Sequence, residues 1–276
     1  MKIQIFFILI IINFSSSSIG DISHFSEYPE LQKIILKYSS EYESKFSKIF
    51  KDGPIYSGDG TSYGDSKNGG NCLFPKEEYY ADMMYAALNH DQYFDDLGCG
   101  LCALVVSTSH PYKPIRIRVI DQCPECEHGS LDFSDIAFKE LTNMDPARVK
   151  ITWALIPCDI EISNYPALVE KDSEIKFQFK QGSTQHWFQV QIFNTVYPVA
   201  AVEIEIDGNF VQLERQHYNY WQIPEGNGKN AGQDPYNFRV TLADSTIILA
   251  ENVEMVVPED DEDDDFSTGK KSIIQN

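Results

Sequence analysis

Six cysteines lie in one stretch of the 276-residue chain, and none lies before or after it. They are Cys72, Cys99, Cys102, Cys123, Cys126 and Cys158. In an exported protein an even number of cysteines predicts a disulfide framework, although six cysteines allow 15 pairings. The distribution therefore predicts a cross-linked domain that ends near Cys158 and a second domain without disulfides.

Two Cys-x-x-Cys pairs in the same stretch also fit a metal site. Cys99-Gly-Leu-Cys102 and Cys123-Pro-Glu-Cys126 are separated by 20 residues, which is a zinc-ribbon spacing. An oxidising compartment would pair these thiols instead, and Cys72 and Cys158 also need partners. We favour three disulfides with no metal and no cofactor, and zinc is the alternative.

The N-terminus indicates the compartment. Lys2 precedes an apolar run at residues 3–14, and a serine-rich stretch follows it. This order predicts a signal peptide at residues 1–20. Because the run of about 12 residues is shorter than the roughly 20 of a membrane-spanning helix, we expect a secreted, extracellular protein without a stable membrane anchor.

The charge of the chain limits its partners. The formal net charge is −20 and the pI is about 4.6. Such a surface repels phosphate backbones, which argues against a nucleic-acid partner and leaves neutral or basic partners open. Seven consecutive acids at residues 259–265 predict a solvated, disordered tail over residues 258–276.

Hydrophobic periodicity subdivides the chain. In an N-terminal extension at residues 21–52, apolar residues at helical spacing predict a helix over 29–50. Residues 53–158 combine β-rich runs with a few helices, one of them expected at 76–88. Residues 159–257 hold six or more short strand-like runs, which predicts a β-sandwich.

One predicted strand of the second domain has a tryptophan on its polar face. Trp187, Gln189 and Gln191 alternate with an aliphatic set that must face the core: Phe188, Val190 and Ile192. We therefore expect Trp187 to point to solvent with the glutamines, as a stacking platform for a sugar ring. A loop that covers Trp187 is the alternative. Tyr218 and Trp221 could extend the platform, with one of them buried.

Two aspartates are candidate site residues in the first domain. Asp121 ends a β-rich run, and a carboxylate at a strand end is well placed for a site. Asp132 lies between Leu131 and Phe133, and such apolar flanks raise the pKa of a carboxyl group and favour its proton-donating form.

Ordered motifs across about residues 55–257 resemble those of expansins. In the first domain they are Thr61-Ser62-Tyr63-Gly64-Asp65, Gly98-Cys99-Gly100-Leu101-Cys102, Val119-Ile120-Asp121 and Leu131-Asp132-Phe133-Ser134. In the second they are Phe179-Lys180-Gln181-Gly182-Ser183, Trp187, Tyr197-Pro198-Val199 and Tyr218-Asn219. The resemblance implies a mainly β fold: a six-stranded double-psi β-barrel followed by an immunoglobulin-like β-sandwich. The N-terminal helix is an addition to it.

The resemblance also implies site residues and disulfide pairs. The groove would use Thr61, Tyr63, Asp121 and Asp132, and the polysaccharide-binding surface Lys180, Trp187 and Tyr218. The pairs would be Cys72–Cys99 and Cys102–Cys158, which leaves Cys123–Cys126. Two positions depart from bacterial members: Cys123 replaces a groove tyrosine, and His186 replaces a second tryptophan.

Expansins loosen cellulose-rich walls without evident hydrolysis, so the resemblance implies a non-enzymatic, monomeric binder of cellulose or a related neutral β-glucan. A passive matrix binder is one alternative. A weak inverting endoglucanase is another, with Asp132 as acid and Asp65 as base. That mechanism needs carboxyl groups about 6.5–9.5 Å apart.

Overall fold

The computed structural model describes residues 21–45, 53–64, 69–78, 82–93, 97–162, 165–170, 172–224, 231–258 and 267–274. Three predicted features lie outside these residues: the signal peptide, Asp65 and the seven-acid run. No helix among the described residues is long and apolar enough to cross a membrane.

Six strands close a barrel in the order β1-β5-β2-β4-β3-β6. They are β1 (Ile55–Ser62), β2 (Tyr85–Asn89), β3 (Cys102–Ser107), β4 (Ile115–Cys123), β5 (Leu131–Phe133) and β6 (Val149–Ile156). The β1–β5 and β2–β4 pairs are parallel, and the other pairs are antiparallel. This confirms the six-stranded barrel that the resemblance implies.

The predicted helix at residues 76–88 is wrong. The segment forms a short 3-10 turn at Lys76–Glu78 and then strand β2, whose five residues are all buried. Because residues on both sides of β2 are buried, both of its faces are covered. A strand buried on both faces is continuously apolar and can be mistaken for a helix segment. Two short helices complete the domain, α2 (His90–Tyr93) and α3 (Asp135–Thr142), which are numbered after the N-terminal helix α1 (Pro29–Lys45).

Helix α1 covers the outside of the barrel. Phe25, Leu31 and Ile35, from this helix and the turn before it, are buried in one cluster with side chains of β3 and β6 such as Leu104 and Ile156. The predicted N-terminal helix is therefore present, and residues 46–50 of the predicted span lie beyond the described part.

The second domain packs two five-stranded sheets, ordered β10-β9-β13-β14-β16 and β11-β12-β8-β7-β15. The strands are β7 (Lys176–Phe179), β8 (Gln189–Phe193), β9 (Val199–Ile206), β10 (Asn209–Gln212), β11 (Glu214–Arg215), β12 (Trp221–Gln222), β13 (Tyr236–Leu242), β14 (Ile247–Val253), β15 (Ser267–Thr268) and β16 (Lys270–Ile274). Phe177 and Phe238 stack across the core with ring centroids 5.0 Å apart. The predicted β-sandwich is confirmed.

The predicted disorder does not extend to residues 267–274. Strand β15 pairs with β7 and strand β16 with β14, so the end of the chain adds an edge strand to each sheet. An edge strand presents unpaired N–H and C=O groups, which a following segment can satisfy. The acidic composition of residues 259–265 predicts disorder for the whole tail, but it carries no information about the pairing of the residues that follow.

Candidate functional site

Strand register brings the groove residues into one row. Thr61 on β1 is the partner of Asp132 on β5, Asp132 is the partner of Ala87 on β2, and Ala87 is the partner of Asp121 on β4. Neighbouring strands are about 4.8 Å apart, so the Cα atoms of Asp121 and Asp132, which lie on either side of β2, are about 10 Å apart. Residues that are far apart in sequence therefore form one polar line on the barrel.

The surroundings of Asp132 raise the pKa of its carboxyl group. Burial raises the pKa of this carboxyl group, and the hydrogen bond from the Thr61 hydroxyl to Oδ1, 2.5 Å long, opposes that rise. The negative charges of Glu125 and Asp121 raise the pKa further. The predicted direction of the shift is confirmed, and the carboxyl group accepts a hydroxyl hydrogen bond through Oδ1.

Asp121 is held differently. Its Oδ1 accepts the backbone N–H groups of Asn71 and Gln122, each at 2.8 Å. The Asn71 loop reaches Asp121 because the preceding residue is Gly70, which has φ +62°. A Cβ there would lie 2.4 Å from the Ile120 carbonyl oxygen. The carboxylate is thereby fixed at the end of β4 as an acceptor.

The remaining groove candidate lies beside this row. Tyr63 follows β1, is 36% exposed, and meets the Tyr85 ring edge-on at 6.4 Å between centroids. Its N–H donates to the carbonyl oxygen of Phe133, the residue after Asp132. Tyr63 is therefore available to a ligand at the Asp132 end of the row.

The disulfide pairs that the resemblance implies are confirmed as Cys72–Cys99, Cys102–Cys158 and Cys123–Cys126. All four sulfurs of the alternative zinc-ribbon site are used in these bonds, so that alternative is wrong. The third bridge lies in the groove: the sulfurs of Cys123 and Cys126 and a carboxylate oxygen of Asp132 are all within 4.8 Å of one another.

In the second domain the predicted exposure of Trp187 is confirmed, at 38%. The interpretation that Gln189 and Gln191 also face solvent is wrong, because both are buried. Gln191 lies against the barrel, where its Nε2 donates to the Cys72 carbonyl oxygen at 2.8 Å. The polar face of β8 thus runs from a covered inner end to an exposed outer end at Trp187.

Tyr218 is fixed on this same face. Its hydroxyl is hydrogen bonded to the side-chain amide of Gln189, with Nε2 at 2.8 Å. The Lys180 ammonium lies 4.4 Å from its ring centroid, within the range of a cation–π interaction. Trp221 is the buried member of the predicted pair. Tyr218 and Lys180 therefore contact each other, and we call these two residues together with the exposed Trp187 the platform.

A barrel loop connects the groove to the platform. Asn71, whose N–H binds Asp121, also donates from its side-chain Nδ2 to the carbonyl oxygen of His217, the neighbour of Tyr218, at 3.0 Å. Asn219 donates to the Cys72 carbonyl oxygen at 3.3 Å. Sequence reasoning missed Asn71 because its partners are distant in sequence, and the Gly-Gly-Asn run beside a cysteine was the only available signal.

Comparison with known proteins agrees with this architecture. No protein-family model matches the chain. It is 26% identical over 168 residues to Expansin-YoaJ of Bacillus subtilis, which covers 60% of the chain and 67% of that protein. It is 25% identical over 180 residues to Expansin-like protein 1 of Dictyostelium discoideum, covering 62% of the chain and 59% of that protein. The chain resembles expansins.

Solved expansin structures share the fold. The apo Clavibacter michiganensis expansin matches with a TM-score of 0.59 at 24% identity, over 74% of this chain and 93% of that one. A mutant of the same expansin in complex with cellohexaose matches with a TM-score of 0.61 and the same coverage. Expansin-B6 of Arabidopsis thaliana is 24% identical over 208 residues, covering 69% of the chain and 87% of that protein.

Proposed function

We propose that this chain is a secreted expansin-like protein that binds cellulose or a related neutral β-glucan and loosens its packing without cleaving it. The observation that carries the proposal is the Asn71 loop, which contacts the Asp121 carboxylate and also the His217 carbonyl oxygen, next to Tyr218 of the platform. One extended glucan chain could then contact both domains.

The platform would supply most of the affinity. An exposed indole and a tyrosine ring offer flat apolar faces to sugar rings, and stacking in the related case of nucleic-acid bases is worth about 1–3 kcal/mol per ring. The complex of the Clavibacter michiganensis expansin with cellohexaose supports a glucan of this class. A neutral glucan also avoids the repulsion that the net charge of −20 imposes on acidic polymers.

The groove would compete for the hydroxyls that hold glucan chains together. Asp121, held by two N–H groups, and Asp132, which accepts from the Thr61 hydroxyl, would accept hydrogen bonds from sugar hydroxyls. Disruption of glucan–glucan hydrogen bonds needs no water between two carboxyls and no bond cleavage.

The test compares two variants in three assays: cellulose pull-down, reducing-sugar release and wall extension under load. Trp187→Ala should lower cellulose affinity by about 5- to 100-fold, which is the equivalent of one lost ring stack. Asp132→Asn should abolish extension and leave binding nearly intact. Tyr112→Ala is the matched control. Tyr112 is an exposed ring that lies just before the start of β4, whereas Asp121 lies near the end of that strand.

Each other outcome selects a different function. Sugar release that Asp132→Asn abolishes would establish the endoglucanase. Binding without any wall extension by the wild-type chain would establish the passive binder. Equal loss of binding in both variants would show that the groove and the platform form one binding site, to which both contribute affinity.

A further inference from the structure

The local disulfide in the groove differs from the other two bridges. Cys126 is half-buried, whereas the four cysteines of the other bridges are buried at 3% exposure or less. Cys123 and Cys126 are three residues apart, against separations of 27 and 56 in the other bridges. In the chain-entropy model a bridge that closes a short loop stabilises the fold less than one that closes a long loop. A reductant would therefore reach this bridge first, and its loss would cost the fold least.

The loop that carries the bridge has other supports. Cys123 ends the β2–β4 ladder opposite Asn89, and the Cys126 N–H donates to the Cys123 carbonyl oxygen at 3.2 Å. At the far end, the Gly129 N–H donates to the buried Gln92 side chain at 2.9 Å. These contacts keep both thiols close to Asp132 after the S–S bond opens.

The three side chains then have the composition of a metal site. Zinc binds thiolates at about 2.3 Å and carboxylates at about 2.0–2.2 Å, so two tetrahedral sulfur ligands lie about 3.8 Å apart. The two sulfurs, bonded to each other in the bridge, would move apart to this distance on reduction, and the Asp132 oxygen, within 4.8 Å of both, would need only a small approach. This is not the four-cysteine ribbon site, because Cys99 and Cys102 are not used.

We propose that Cys123, Cys126 and Asp132 form a redox-controlled site for a thiophilic divalent cation such as Zn²⁺. A dithiol reductant gives two electrons and two protons to the disulfide, which becomes two thiols while the reductant becomes a disulfide. The cation then displaces both thiol protons and takes the Asp132 carboxylate as its third protein ligand. A fourth position stays open to water.

The consequence for activity depends on the proposed function. A bound cation would occupy the Asp132 oxygens that accept the Thr61 hydrogen bond and that would meet sugar hydroxyls. The reduced, metal-loaded protein should lose wall extension and keep cellulose binding, because the platform is not involved. Removal of the metal followed by reoxidation should restore extension.

The metal site is tested without cellulose. The protein is treated with dithiothreitol, its free thiols are alkylated and located by mass spectrometry, and unalkylated reduced protein is titrated with Co²⁺. We expect two thiols, at Cys123 and Cys126, and a thiolate-to-cobalt absorption band that saturates at one ion per chain and that Zn²⁺ displaces. Oxidised protein should show no band.

Variants locate the site. Cys126→Ser should remove the band, and Asp132→Asn should weaken Co²⁺ binding at least tenfold, since even an outer-shell partner is worth about 10- to 100-fold. Asp207→Asn, in an exposed turn of the second domain, is the matched control and should leave the Co²⁺ affinity unchanged. A reduced protein that has lost its circular-dichroism signature, or that is folded but gives no band, would overturn the site. A normal band with undiminished wall extension would overturn only the effect on loosening.

Discussion

The barrel and the sandwich are stabilised in different ways. The barrel contains three disulfides and two buried arginines, Arg116 and Arg118, whereas the sandwich region has no cysteine and packs rings such as Phe177, Phe179 and Phe238 between its sheets. A groove built from carboxylates needs polar groups inside the domain, and each of them costs desolvation. Cross-links and ion pairs offset that cost in the barrel, while a platform of exposed rings leaves the sandwich core apolar.

The sharpest test of this comparison removes one buried charge. Arg118 pairs with Glu78, and their side chains are only 4% and 8% exposed. Arg118→Met should lower the free energy of unfolding by about 3–5 kcal/mol, because it leaves a buried carboxylate without a partner. Urea denaturation measures this loss, and adding Glu78→Gln should recover part of it.

The sandwich provides the matched control. Arg239 pairs with Glu203 there, with side chains 34% and 20% exposed. Arg239→Met should cost about 1 kcal/mol or less, because solvent screens the pair. Equal losses in the two domains would contradict the view that the barrel depends on buried charge.

The next largest effect concerns the cross-links. Replacing Cys72 and Cys99 together by Ala should lower the free energy of unfolding by about 3–4 kcal/mol, since their bridge closes a loop of about 28 residues. The same replacement of Cys123 and Cys126 should cost about 2 kcal/mol. Thermal denaturation of both double variants checks the order, and a larger loss from the local bridge would contradict it.

The junction between the domains should have a smaller effect, seen in binding. Asn71→Ala removes the 3.0 Å hydrogen bonds from Nδ2 to the His217 carbonyl oxygen and to the Tyr93 hydroxyl, and keeps the backbone N–H that holds Asp121. At about 1 kcal/mol per hydrogen bond we expect cellulose affinity to fall about 2- to 10-fold. Asn209→Ala, in an exposed turn of the sandwich, is the control and should bind as wild type. Unchanged affinity in Asn71→Ala would show that the two surfaces act separately.

The smallest effect is a pH dependence of stability. Burial raises the pKa of Asp132 in the folded state. The free energy of unfolding therefore falls as the pH rises above about 3.9, the pKa of an aspartate in the unfolded chain. Asp132→Asn, which stays neutral, should therefore give a small rise in Tm at pH 7. Calorimetry should show the gain vanish near pH 3. A gain that is constant with pH would contradict the role of burial.

Much of the sandwich could be predicted from local alternation, and much of the barrel could not. The aliphatic set Phe188, Val190 and Ile192 is buried as its parity indicates. In β4 the alternation of apolar and polar residues, such as Ile117 and Arg118, does not distinguish a buried face from an exposed one, because both residues are buried. Period-two patterns report sheet faces only where one face meets water, and the barrel wall is covered on both sides here.

The sequence by itself determined the disulfide-rich first domain, the apolar face of the sandwich strands and, through the resemblance to expansins, the disulfide pairs and the aspartates of the groove. Tertiary structure decided the rest. It alone covered Gln191, placed Asn71 between Asp121 and His217, and brought the Cys123–Cys126 bridge to Asp132. The bond from Gln191 to Cys72 spans 119 residues and that from Asn71 to His217 spans 146. Local sequence carries no record of such contacts, because they depend on how two separately folded cores meet.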